Sequence, residues 1–276
     1  MSENTFISTI TIRKSIGLVF TLLGFQMLFG LLLLFKSVIN QNILMLLTTI
    51  LSSSALLWYV FRHESLPFRE LFYAGIKPTF KVFLLLGVAS AGMLVGFVDP
   101  LVNSIPMPDL VRKFMMEMFC KTDIFSFMAI VLVAPLLEEL IFRGVILNGF
   151  LHNYSPKKAI VISALIFGFV HLNPWQFVGA TLLGIFMGWV YYKTHCIWLT
   201  IFIHFINNLI GFFANTNPKS IDHSIIEVAG LESYTPIIIL VAMLLCAGSI
   251  YLLNIEFSRN KAKMQDIQPE CTKMDA

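Results

Sequence analysis

Apolar runs of roughly 20 residues recur along the chain, parted by short polar stretches. A helix that crosses the hydrocarbon core of a bilayer needs about 20 predominantly apolar residues. On that rule the pattern predicts eight membrane helices, at 16–35, 43–61, 82–101, 124–148, 158–172, 175–192, 196–213 and 235–254. The fifth is short and closes at Asn173-Pro174. Only Lys193-Thr194-His195 separates the sixth from the seventh, so these two are expected to form an antiparallel hairpin. The first run ends at Lys36 without a small-residue cleavage site, which predicts a membrane helix and not a removable signal peptide. No internal repeat or low-complexity tract interrupts the pattern. The expected fold is all-α, a polytopic transmembrane helical bundle.

The connections differ in character. In 107–123, Leu110, Val111, Phe114, Met115, Met118 and Phe119 can share one helical face, while Asp109, Arg112, Lys113, Glu117 and Lys121 fall mostly on the other. Such a segment is expected to lie on the bilayer as an interfacial helix. It serves as an amphipathic connector or, in a sharper version, as a lid or ramp for substrate. The stretch 214–234 holds Asn, Pro, Ser and Gly with scattered acids and is expected to be a surface loop. The charged tail, 255–276, lacks apolar periodicity and is expected to be disordered.

Composition narrows the class. Of 276 residues, 57% are hydrophobic and 13% charged, with a mean hydropathy of +0.81. Soluble domains carry about 25% charged residues, so no separate soluble domain of normal size fits. The net charge of +3 gives no reason to expect a nucleic-acid partner. Lys and Arg act as topology signals instead. With the N-terminus inside and eight crossings, 13 of them fall on the cytoplasmic side and 5 outside. That predicts a multi-pass protein of the plasma membrane with both termini cytoplasmic. Cys120, Cys196, Cys246 and Cys271 are far apart with no CxxC pair, which argues against a zinc–thiolate site or a disulfide framework. Cys271 is sixth from the end, so the chain carries no prenylation signal of its own.

Against this background three polar clusters inside apolar helices stand out. Glu138, Glu139 and Arg143 interrupt the run 124–150; Phe167 and His171 close the fifth helix; His204 and Asn208 lie in the seventh. An ionisable residue at bilayer depth costs about 2.5–3.5 kcal/mol on insertion scales and is a functional-site hypothesis by default. Residues four apart share a helical face, so Glu139 and Arg143 can pair, in the favourable acid-first order. Glu138 lies about 100° around the helix and can point into a different cavity. At 1.5 Å per residue, Glu139, His171 and His204 stand roughly 16, 22 and 16 Å from one membrane face.

A carboxylate and an imidazole can activate a water between them. A second His with an Asn can donate hydrogen bonds to a developing oxyanion. Alternatively Glu138, His171 and His204 can be ligands of a divalent metal such as zinc, with metal-bound water as nucleophile. The spacing His-Glu-x-x-His is absent. Each cluster alone also has a structural reading. A buried Glu–Arg pair can serve specificity, and a lone His or Asn can bridge membrane helices. Intramembrane Glu, His and Arg also mark ion pathways, so a transporter, or a non-catalytic membrane regulator, is the alternative class.

Taken together, Glu138-Glu139-x-x-x-Arg143, Phe167-x-x-x-His171 and His204-x-x-x-Asn208 resemble the three motifs of the CPBP family, the CAAX proteases and bacteriocin-processing enzymes, also called Abi. The resemblance is strongest over 120–212. It implies a bundle of eight helices with an intramembrane endopeptidase activity, often labelled a metalloprotease. Carried over, Glu138 and His171 activate water, and His204 and Asn208 hold the oxyanion. Glu139, Arg143 and Phe167 support them. The implied substrates are peptides or proteins at the lipid bilayer, either prenylated CAAX-type or leader-containing. The implied organisation is 1–119 for N-terminal membrane helices with the interfacial helix, 120–212 for the catalytic core, 213–254 for a loop and the last membrane helix, and 255–276 for the cytoplasmic tail.

Overall fold

A computed structural model describes residues 10–64, 72, 78–113, 123–214 and 224–274, with the backbone alone for Glu64 and 261–274. Among the described residues there is no strand, and the architecture is a helical bundle. Eight helices occupy the eight expected positions. They are α1 (Ile12–Gly30, extended by a 3-10 stretch to Phe35), α2 (Gln41–Glu64), α3 (Phe80–Asn103), α4 (Ile124–Asn153), α5 (Pro156–Phe169), α6 (Pro174–Thr194), α7 (Ile197–Ala214) and α8 (Thr235–Met274). Six of these, α1 to α4, α7 and α8, are long and apolar enough to cross a membrane. The chain is a multi-pass membrane protein.

The two that fall short, α5 and α6, are the pair that carries the second polar cluster. Helix α5 has 14 residues, about 21 Å at 1.5 Å per residue, against a core of about 30 Å. Helix α6 is longer but dilutes its apolar run with Gln176, Thr181, Lys193 and three glycines. What α5 and α6 have instead is close contact with each other. A Cβ on Gly184 would stand 3.0 Å from Ala164 Cβ, and one on Gly188 would stand 3.0 Å from Ile160 Cγ2. Small residues let membrane helices approach to backbone distance. The expected hairpin of α6 and α7 forms, with His195 turning the chain in a left-handed conformation.

Helix α4 is the centre of the molecule. Asp123 caps it reciprocally with Ser126 and also accepts a bond from Asn40 Nδ2 at 3.2 Å, which ties the start of α4 to that of α2. Beyond its far end, Tyr154 Oη accepts the N–H of Ile12 at 3.2 Å. Between these anchors every residue from Leu140 to Leu147 is buried. The helix is not α throughout: Met128–Val133 and Leu140–Leu147 are π-helical and flank an α-helical segment, Ala134–Glu139. π-helical turns are rare and are found often at functional sites.

Two features depart from expectation. The backbone of α8 continues to Met274, where the sequence pattern pointed to disorder from 255. Its extension is held at the first turn, with Lys81 Nζ 3.1 Å from Glu256 Oε2 and Phe257 buried beside Trp189. The 214–234 stretch contains a capped helical turn at Ile225–Val228, whose first N–H donates to Asp99 Oδ2 at 3.1 Å. Of the expected interfacial helix, 109–113 has helical backbone and 114–122 lies outside the described residues.

Candidate active site

The expected pair on α4 forms. Arg143 Nη1 donates to Glu139 Oε1 at 2.7 Å, both side chains being buried. From α7, His204 Nδ1 meets the same Oε1 at 2.9 Å. Arg143 Nη2 reaches Gly184 O on α6 at 3.4 Å. One carboxylate thus joins three helices. Glu138, about 100° away on α4, stays partly exposed, and its Oε2 lies 3.9 Å from His204 Nε2. His204 therefore presents one ring nitrogen to each glutamate. An ionised carboxylate only accepts, so Nδ1 must carry a hydrogen. Nε2 then holds a second proton in the imidazolium form alone.

Phe167 is the wall of this arrangement. Its ring stands edge-on to His171 at 5.2 Å and to His204 at 5.6 Å, and the Arg143 guanidinium lies 4.6 Å from its centre. A buried cation is attracted to an aromatic face, so one ring holds Arg143 and both histidines in register. His171 sits just past the end of α5, where the last carbonyls of a helix lack backbone partners. Its Nδ1 takes up Phe167 O at 2.9 Å. A carbonyl acceptor requires Nδ1–H, and in the neutral ring Nε2 then carries the lone pair. The next residues turn the chain into α6: Leu172 is left-handed at φ 55°, and Asn173 caps α6 by accepting the Gln176 N–H at 2.8 Å.

The site is thus gathered in part by direct contact. Glu138, Glu139, Arg143, His204 and Phe167 form one connected cluster, and His171 joins it through the Phe167 ring. Among the described contacts no hydrogen bond joins His171 to a glutamate. Half-buried Asn208 donates from Nδ2 to Ile130 O on α4 at 2.9 Å. Thr200 escaped the sequence reading. It is buried one turn before His204 and lies against Glu139, with its hydroxyl given to Ile197 O at 2.9 Å. The signal was available as spacing, since 200, 204 and 208 share a face at intervals of four.

Metal ligation finds no support in this arrangement. Among the described residues no three His, Cys, Asp or Glu side chains are gathered closely enough to hold an ion, so Glu138, His171 and His204 do not form a ligand set as they stand.

With the geometry in hand, the chain can be set beside known proteins. Residues 121–210 match the family model described as type II CAAX prenyl endopeptidase Rce1-like. A curated relative, "Putative membrane peptidase YdiL" of Bacillus subtilis (strain 168), is 35% identical over 77 residues. That match spans 28% of this chain and 32% of the relative, so the chain covers about a third of the length of the curated protein it matches. No solved structure matches.

Proposed function

We propose that this chain, whose residues 121–210 match an Rce1-like family model and part of which is similar to a putative membrane peptidase, is a CPBP-type membrane endopeptidase that hydrolyses peptide bonds of membrane-associated substrates with water activated by side chains. The carrying observation is the division of labour between the glutamates. Arg143 and His204 occupy Glu139, whereas Glu138 remains partly exposed with one oxygen 3.9 Å from His204 Nε2.

In this reading Glu138, with His171 Nε2 as hydrogen-bond acceptor, orients a water and takes its proton. The hydroxide adds to the carbonyl carbon, and the C=O electron pair moves onto oxygen. His204 Nε2–H and Asn208 Nδ2–H donate to that oxyanion. Collapse breaks the C–N bond, and the proton held by Glu138 passes to the leaving amine. The donor role requires His204 as imidazolium. Its charge and that of Arg143 then equal in number those of Glu138 and Glu139. Glu139, Arg143 and Phe167 hold His204 in place.

The substrates are peptides or proteins at the bilayer, prenylated CAAX-type or leader-containing. The enzyme resides in the plasma membrane with both termini cytoplasmic. The test is to compare peptide termini in membrane and secreted fractions from cells carrying the wild type or Glu138→Gln. Termini present only with the wild type, at equal protein levels, are the expected result. Intact cleavage in the Glu138→Gln cells would remove the assignment and leave the regulator or transporter class. A divalent-metal version is tested separately by elemental analysis and chelation of active protein, where full activity without stoichiometric metal rules it out.

A further inference from the structure

Pro135 stands one turn before the glutamate pair, where α4 passes from π to α geometry. At the end of the π-helical stretch Met128–Val133 the Ala134 N–H is spent on Ala129 O, five residues back. The next N–H in that register belongs to residue 135 and would close on Ile130 O. Proline has none. Ile130 O therefore loses both helical donors, because the one four residues on is given to Ala129 and the one five residues on does not exist. A carbonyl released at membrane depth needs a partner. Asn208 supplies it from α7 at 2.9 Å, across 78 residues of sequence.

We infer that Pro135 is a positioning residue for Asn208: by withholding an N–H it reserves Ile130 O for the Asn208 amide and so fixes that side chain one turn beyond His204 on α7. The bond also sets the orientation of the amide. A carbonyl can face only the NH₂ end, so one Nδ2 hydrogen is committed to α4 and the other stays free for a substrate oxygen. The catalytic part of this inference rests on the hydrolase reading above, whereas the coupling between Pro135 and Asn208 does not.

A mutant cycle on the full-length protein separates the two. Asn208→Ala leaves Ile130 O without its partner and is expected to lower Tm by about 2–4 °C. Pro135→Ala favours helix and folds, and its new N–H can take Ile130 O. Adding it to Asn208→Ala should restore most of the lost Tm, and the cycle subtracts any general gain in helix propensity. An equal Tm loss from Asn208→Ala in both backgrounds overturns the coupling.

Catalysis is read on a quenched fluorescent peptide that the wild type cleaves and Glu138→Gln does not. Pro135→Ala should lower kcat about 10-fold or more with little change in KM, because misplacement of a catalytic group acts on the transition state. It should cause no further loss in the Asn208→Ala background. Wild-type kcat in Pro135→Ala overturns the positioning role even if the thermal coupling holds. If no peptide meets the Glu138→Gln criterion, the hydrolase reading and the catalytic role of Pro135 fall together, while the thermal cycle still decides the coupling.

Discussion

Buried Arg143 has three kinds of partner: the Glu139 carboxylate, the Phe167 ring and the Gly184 carbonyl. Replacing one member of a buried pair strands the other, at about 3–5 kcal/mol. Arg143→Met is therefore expected to be severely destabilised in thermal unfolding, while Arg143→Lys keeps the charge but loses the planar fork and falls between. His204 presents one ring nitrogen to each glutamate. His204→Gln keeps a donor but cannot span both carboxylates, and it should cleave more slowly than the wild type at equal protein level. Wild-type cleavage by His204→Gln would remove the oxyanion role. At this scale the sequence was informative, since the Glu139–Arg143 pair follows from spacing alone. What it left open was which glutamate His204 approaches, and the answer is both, by different nitrogens.

Between elements, contacts are set by small residues and caps. Gly92 and Gly96 bring α3 against α8 so closely that a Cβ on Gly92 would stand 2.7 Å from Ala242 O. Gly92→Val is expected to lose about 1–3 kcal/mol by overpacking, whereas Gly24→Val, with nothing within 4 Å, should be tolerated in the same melting assay. At the start of α4, burial raises the Asp123 pKa, but hydrogen bonds from the Ser126 N–H, Asn42 and Asn40 outweigh it and hold the carboxyl below the usual range. A depressed folded value means that this group stabilises the protein above its unfolded pKa of about 3.9 and that the gain is lost as pH falls through the folded value. Asp123→Ala should lower stability by about 1 kcal/mol near neutral pH. The difference should shrink on acidification below pH about 4.

For the whole molecule, eight membrane helices were expected and helices occupy all eight positions, six of them long and apolar enough to cross a membrane by length and composition. The α5–α6 pair explains the difference. Its glycines serve contact between the two helices, and its joint carries His171, so length gives way to site construction. The excess of Lys and Arg on one side gives an expectation for orientation. Reporter fusions at the two termini should both read cytoplasmic, and termini on opposite sides would require an odd number of crossings.

By itself the sequence determined that the chain is helical, that it belongs in a membrane, and which seven side chains of the three motifs to watch. These are local properties. A membrane helix satisfies its backbone within its own segment, hydropathy is a sum over neighbours, and an i,i+4 pair is decided by one turn. The tertiary structure decided the rest: that His204 straddles two glutamates 65 and 66 residues away, that Asn208 on α7 reaches Ile130 O on α4, and that α3 and α8 touch at Gly92. Each depends on how far one helix is rotated and raised against another. In lipid that choice is made by packing and by the few polar groups that must find partners, and hydropathy along a single chain does not record it.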